Sequence, residues 1–317
     1  WDEENNCFME SRKDYADPTR EIAEETGCKF IDENKIVTDA WNSMSKNRVL
    51  SGYFVCEPLE SKAYPSGTND TTHMKAKGAK RVAKLIADAI PENVPELAKY
   101  LKGDETFTDI QGHWAENVIK TLAESDKISG VGDGKFNPDG TVTRAEFLKM
   151  AMDSLGIVGH AYRDGECLDA TNDDWYCYYL QGALDKDIIP EEMIENCNVT
   201  KVTKTLAEAT DDKKAVTTDV NVYTGKFDGD KPITREEMAA IAVRCKNYKM
   251  RRLTDWDNER RYPIFSFKDS DEIDEKYISD VVKAYNLNYI DGMEDGRFAP
   301  KENLTRAQAA VVMNNLK

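Results

Sequence analysis

Apolar residues recur at helical spacing behind three copies of one short polar block. Phe147, Leu148, Ala151, Met152 and Leu155 form the first stripe, Met238, Ile241, Ala242 and Cys245 the second, and Ala310, Val311 and Met313 the third. Steps of three and four place each set on one face of a helix. Ahead of each stripe stands Gly-Lys/Arg-Phe, ending at Phe136, Phe227 and Phe298, and then Thr-Arg-x-Glu/Gln, beginning at Thr143, Thr234 and Thr305. Phe and Arg are eight positions apart in every copy (Phe136 to Arg144, Phe227 to Arg235, Phe298 to Arg306). A Thr followed three residues later by Glu or Gln is a capping box, so three equivalent helices are predicted to start there. A fixed repeat implies a modular architecture.

A second helix is predicted ahead of each block, carried by Trp114, Val118, Ile119 and Leu122 in the first copy and by Ile278, Val281, Val282 and Tyr285 in the third. Gly/Asp-rich turns, Gly130–Gly134 and Gly292–Gly296, join the two helices. The Arg of each block falls at the first helical position, where the helix dipole makes a cation mildly unfavourable. Two readings account for it equally well. Either Arg and the backbone N–H groups of the helix start converge on a carboxylate or phosphate, or Arg pairs with Asp or Glu of a neighbouring repeat or lies on its surface.

Phe107-Thr108-Asp109, His113-Trp114-Ala115, Ile128-Ser129-Gly130, Asp133 to Pro138 and Val142 to Glu146 together resemble the S-layer homology (SLH) domain. Phe267-Lys268-Asp269, Asp291-Gly292, Asp295 to Pro300 and Leu304 to Ala307 resemble it again. The middle copy keeps Trp175, Ile188 to Pro190 and Pro232 to Glu236, but Pro190 to Gly225 spans 35 positions where Gly130 to Gly134 spans 4. We expect residues 191–224 to be an exposed loop. In the third copy the place of the Trp falls near Lys276-Tyr277. The resemblance implies a mainly α, pseudo-threefold module that binds secondary cell-wall polysaccharide, often pyruvylated, on the outside of Gram-positive-type bacteria. Carried over by position, it nominates Arg144, Arg235 and Arg306 as polymer-binding, with Asp109 and Trp114 as companions.

The first hundred residues lack these blocks. Their most specific feature is Asp70-Thr71-Thr72-His73, followed by Lys77-Gly78-Ala79 and the helical run Val82 to Ala87. An Asp separated from a His by two residues can fix the imidazole tautomer while the ring takes a proton from a serine hydroxyl. With Trp1 to Asn5, Tyr15-Ala16-Asp17 and Ala23 to Asp32, the segment resembles the C-terminal part of SGNH/GDSL hydrolases of the rhamnogalacturonan acetylesterase-like kind. That resemblance implies an α/β, flavodoxin-like fragment with Asp70 and His73 as catalytic residues and a plant-type polysaccharide as the parent enzyme's substrate. The nucleophile of such enzymes lies in a Gly-Asp-Ser motif, which this chain does not contain. Because the chain begins at Trp1 rather than Met, we expect a truncated product whose upstream part held the serine, inactive as an esterase alone.

The expected organisation is therefore an esterase-like fragment at 1–95, a linker at 96–106, and repeats at 107–160, 161–250 (with the insertion 191–224) and 251–317. Missing strands would leave open sheet edges, so the fragment should be less stable than the repeats. A net charge of −16 argues against a nucleic-acid partner. It also means that an anionic polymer must be met by local Arg and Lys. No run is apolar enough for a membrane span. The odd number of Cys, seven, without CxxC spacing disfavours zinc and suggests isolated thiols, although Cys167 and Cys177 could pair if they faced each other. From Lys135 to Glu146 the chain mimics an EF-hand loop, but Lys135 occupies the first ligand position, so we expect no metal and no cofactor. Three functions remain open: a cell-surface anchor, a secreted polysaccharide acetylesterase as the parent, and a structural S-layer or protein-interaction module.

Overall fold

The computed structural model describes residues 1–317 apart from 12, 58–59, 62–63, 65, 102–106, 126, 161–166, 172, 208–215, 252–266 and 317. It divides into two compact units, Trp1–Pro58 with Gly67–Gly103, and Leu59–Ser66 with Asp104–Lys317.

The first unit is built of helices α1 (Lys13–Thr26), α2 (Glu33–Asn42), α3 (Lys46–Val49) and α4 (Ala76–Asn93). Asp32 starts α2 by accepting the Lys35 backbone N–H. The core is small: Val37, Val49, Tyr53, Phe54 and Val82 are buried, with Phe8 and Trp41 packed against them. Gly78 lets α4 lie on the backbone of Tyr53, since a Cβ there would sit 2.5 Å from the Tyr53 carbonyl oxygen. No strand occurs among the described residues of this unit. The α/β expectation is therefore not met there, and Lys29 to Ile31 is irregular. An extended segment counts as a strand only when a neighbour completes its hydrogen bonds.

The second unit contains α5 (Glu116–Glu124), α6 (Arg144–Leu155), α7 (Cys177–Leu184), the strands β1 (Glu195–Ala207) and β2 (Val216–Lys226), and α8 (Arg235–Arg251), α9 (Glu275–Asn286) and α10 (Arg306–Asn315). As the sequence predicts, α6, α8 and α10 each begin on the Arg of the repeated block. In all three the Thr side chain and the Glu or Gln three residues on exchange capping bonds. These helices are not one-faced, however. Met238 to Val243 of α8 are all fully buried, because the repeats enclose their motif helices in a shared core.

Three backbone bonds close that core into a ring. Val142 N–H donates to Leu304 at 2.9 Å, Leu304 to Ile233 at 3.1 Å, and Ile233 back to Val142 at 3.0 Å. Each residue lies just before a Thr-Arg block, so the three blocks meet at one pseudo-threefold axis. A second threefold set fixes the turns. Asp109 accepts the N–H groups of Phe136 and Asn137 (2.9 and 2.7 Å), Asp169 those of Phe227 and Asp228 (2.7 and 3.0 Å), and Asp269 those of Phe298 and Ala299 (2.8 and 2.7 Å). Two successive N–H groups can aim at one carboxylate because Asn137, Asp228 and Ala299 are left-handed, with φ of 58°, 57° and 58°.

The insertion is a correction. Residues expected to form a loop instead form the antiparallel ribbon of β1 and β2, in which Val199 pairs with Tyr223 and Val202 with Val220. The ribbon's foot is held in the core by Tyr223, which is buried. Farther out, Lys201 and Thr203 of β1 bind Asp219 of β2, at 3.1 and 2.7 Å. Polar Thr, Lys and Asp on both faces of the ribbon hide the two-residue period that would mark strands. None of the seven cysteines is in a disulfide, and Cys167 Sγ instead approaches the Cys177 carbonyl oxygen at 3.8 Å.

Candidate functional site: the grooves between the repeats

The three repeated arginines are each only 6% exposed and reach into the following repeat. Arg306 donates to the carbonyls of Phe136 (2.8 Å) and Ser129 (3.1 Å) of the first repeat. Arg235 donates in the same way to Phe298 (2.7 Å) and Asp291 (2.8 Å) of the third. Arg144 donates to Phe227 (2.6 Å) and Met193 (3.5 Å) of the second. Each guanidinium also stacks on the Phe whose carbonyl it holds, at 4.8 to 5.9 Å from the ring centre.

The backbone N–H groups of these helix starts are occupied too. Arg144 and Ala145 donate to Lys231 and Gly229, Arg235 and Glu236 to Glu302 and Pro300, and Arg306 and Ala307 to Gly140 and Pro138. An anion site built from open N–H groups, one of the two sequence-level readings, is thus not formed. The arginines hold neighbouring repeats together, which explains a cation at an unfavourable helix position. Burial pushes the guanidinium pKa of Arg235 and of Arg306 down, and neither loses its proton, since arginine remains charged in proteins.

The partners of the three guanidinium groups differ. Arg144 forms a two-pronged ion pair with Glu237. Arg306 stands 3.6 Å from Glu146. At the equivalent place beside Arg235 the motif has Gln308, and among the described residues Arg235 makes no ion pair.

Arg235 and Gln308 line a cavity of about 610 Å³, together with Trp114, Asp291, Gly292, Glu294 and Asp295. Trp114 is 66% exposed. Of the five residues nominated from the sequence for polymer binding, the structure thus brings Arg235 and Trp114 to one groove. Arg144 and Arg306 are engaged elsewhere in the ring. Asp109 is spent on its turn: burial raises its carboxyl pKa, but the N–H groups of Phe136 and Asn137 outweigh that and leave it below the usual range. Gln308, Asp291 and Glu294 are not among the site residues that the sequence nominates. The one signal for Gln308 was its departure from the Glu of the other two blocks.

In the first unit His73 Nδ1 lies 2.8 Å from Asp70 Oδ2, as the dyad requires. Asp70 also accepts the backbone N–H groups of His73 and Thr72. These bonds, with that from the imidazole, bring its carboxyl down to about 2. Thr71, Thr72 and Met74, which flank His73, line a cavity of about 920 Å³ whose apolar wall includes Phe8, Trp41 and Phe54. Among the described residues no cluster of His, Cys, Asp or Glu could hold a metal, and no helix is long and apolar enough to cross a membrane.

Known proteins resemble parts of this chain. The exoglucanase XynX of Acetivibrio thermocellus is 34% identical over 216 residues, 68% of this chain but 16% of that protein. The cellulosome-anchoring protein of the same species is 33% identical over 103 residues, 31% of this chain and 21% of the relative. The rhamnogalacturonan acetylesterase RhgT of Bacillus subtilis is 31% identical over 93 residues, 28% of this chain and 39% of the relative. This chain thus spans a minor part of each. The S-layer homology domain family model matches residues 106–148 and 266–310. With the Thr-Arg blocks and turns of those two segments in place, the chain carries S-layer homology domains there.

Proposed function

We propose that the second unit is a cell-surface anchor, its three repeats holding the chain non-covalently to secondary cell-wall polysaccharide outside the cell. The observation that carries this is the groove lined by both the exposed Trp114 and the buried Arg235. An aromatic face takes a sugar ring, a guanidinium takes a carboxylate, and the carboxylates of Asp291 and Glu294 can accept sugar hydroxyls. The likeness to a cellulosome-anchoring protein supports the same reading. With a chain charge of −16, attraction to an acidic polymer must be local, as a groove cation makes it. The test is co-sedimentation of the whole chain with sacculi of A. thermocellus, before and after chemical removal of the wall polysaccharide. Pelleting that depends on the polysaccharide is expected. Equal pelleting with stripped sacculi would replace this function with a protein-interaction or S-layer role.

A second reading applies to the first unit. The Asp70–His73 pair and the likeness to a rhamnogalacturonan acetylesterase support its being part of a carbohydrate esterase. Acetyl-ester hydrolysis by this polypeptide is expected to be absent. Release of acetate from rhamnogalacturonan, abolished by His73→Ala, would refute that.

A further inference from the structure

Apolar side chains of the first unit lie open to solvent along one face. On α1, Tyr15, Thr19, Ile22 and Thr26 recur at steps of four, three and four, so they form a single stripe. The stripe points away from the unit's core: Tyr15 is 68% and Ile22 59% exposed, and none of the 14 residues of the helix is buried. Another side of α1 is held by Arg20, which pairs with Glu10 and Asp32. Tyr15 and Thr19 also line the cavity of about 920 Å³, together with Met9 and the aromatic wall of Phe8, Trp41 and Phe54. In that wall the Trp41 indole N–H is buried and has no hydrogen-bond partner among the described residues.

A helix of this length is marginal in water unless an apolar face of it is packed. A contiguous exposed apolar surface marks an interaction site, and an orphaned buried donor marks a missing acceptor. Resting on the reading of this unit as part of a carbohydrate esterase, we propose that the α1 stripe and the adjoining cavity are a docking surface for a further polypeptide segment, equivalent to the part of RhgT outside the matched 93 residues.

The choice of occupant follows from the extent of the likeness. The 93 residues are 39% of RhgT, so 61% (100 − 39) of that protein lies outside the match. A unit of this kind is therefore accompanied in RhgT by a larger share of polypeptide, and the stripe and cavity are the surface left for it. A sugar chain fits this face poorly, because the stripe runs about 16 Å along α1 and Ile22 and Met9 offer nothing to hydroxyl groups. A peptide strand can lay alternate apolar side chains on the stripe, fill the space against Phe8 and Trp41, and give a carbonyl to the Trp41 N–H. Its seat adjoins the dyad, since Thr71, Thr72 and Met74 line the same cavity. A second copy of this chain is the competing occupant. Asp14, Glu21 and Glu25 fall along one flank of the stripe, however, so two stripes meeting antiparallel across a twofold axis would bring acidic flanks together.

The experiment compares the whole chain with a fusion in which it takes the place of the matched 93 residues of RhgT, by amide hydrogen exchange of α1. Exchange is expected to be fast in the chain alone and at least tenfold slower in the fusion. The double variant Tyr15→Asp/Ile22→Asp is expected to restore fast exchange in the fusion. Both side chains are exposed, so the melting temperature of the variant chain alone should stay within about 2 °C of the unaltered one. Exchange of α1 that is equally fast in the fusion, or already slow in the chain alone, would overturn the docking surface. Self-association of the chain alone in sedimentation equilibrium, abolished by the double variant, would give the face to a second copy and overturn it as well. Acetate release from rhamnogalacturonan by the fusion, lost on His73→Ala, is expected and tests the esterase reading separately. Slowed exchange without acetate release would keep the docking surface and overturn that reading.

Discussion

If the arginines close the ring of repeats, removing Arg306 should cost far more than removing an arginine on the surface. Arg306→Ala deletes two charge-assisted bonds, to Phe136 and Ser129, and a stacking contact 4.8 Å from the Phe136 ring. Each bond from a charged donor is worth about 1.5–3 kcal/mol, and the carbonyls it leaves lose their partner inside the core. The stacking adds about 1 kcal/mol. The total is about 4 kcal/mol after allowing for relaxation around the smaller side chain. In a unit of this size each kcal/mol shifts Tm by about 2–4 °C, so a fall of roughly 8–16 °C is expected by calorimetry. The control is Arg297→Ala, which breaks surface ion pairs to Asp295 (2.8 Å) and Glu302 (3.1 Å). Exposed pairs are worth about 0–1 kcal/mol, so Tm should move by no more than about 4 °C. A Tm for Arg306→Ala no lower than that of Arg297→Ala would refute the view that these side chains bind the repeats together. It would also reopen their assignment as ligand donors.

Other expectations follow from the same contacts. Thr143→Ala removes the cap of α6 and should cost about 1 kcal/mol by urea denaturation; no loss would mean the cap is redundant. Gly78→Val drives a side chain into the Tyr53 backbone, so proteolysis of the first unit should accelerate markedly while the second unit resists; equal rates for variant and parent would contradict the packing of α4. Asp109 has a folded pKa below its unfolded value, so its contribution is present above about pH 4 and lost as pH falls through the folded value. Asp109→Asn should therefore flatten the decline in urea midpoint between about pH 4 and pH 2, and an unchanged slope would count against it. Burial raises the carboxyl pKa of Glu236 and Asp280, so their contribution has the opposite sign, present at low pH and lost as pH rises through the folded values.

The chain's local chemistry was enough to place the repeat. Thr143, Thr234 and Thr305 mark helix starts because a capping box needs only four consecutive residues, and the apolar spacing behind them identifies the helices in any context. The Asp70–His73 contact was legible for the same reason, since a tight turn brings together residues three apart. Neither the ribbon nor the role of the arginines could be read in this way. Val199 and Tyr223 become strand partners through pairing across a long insertion, and Phe136, which holds Arg306, lies 170 positions away from it. Sequence spacing also left Arg144, Arg235 and Arg306 equivalent. Only the closed ring, which sets each of them against the fourth residue of the next block, made one of them face Gln308 and the other two face glutamates. Short-range hydrogen bonding and periodicity are properties of a segment. The charge left over in a groove is a property of what the fold brings together, and no segment carries it alone.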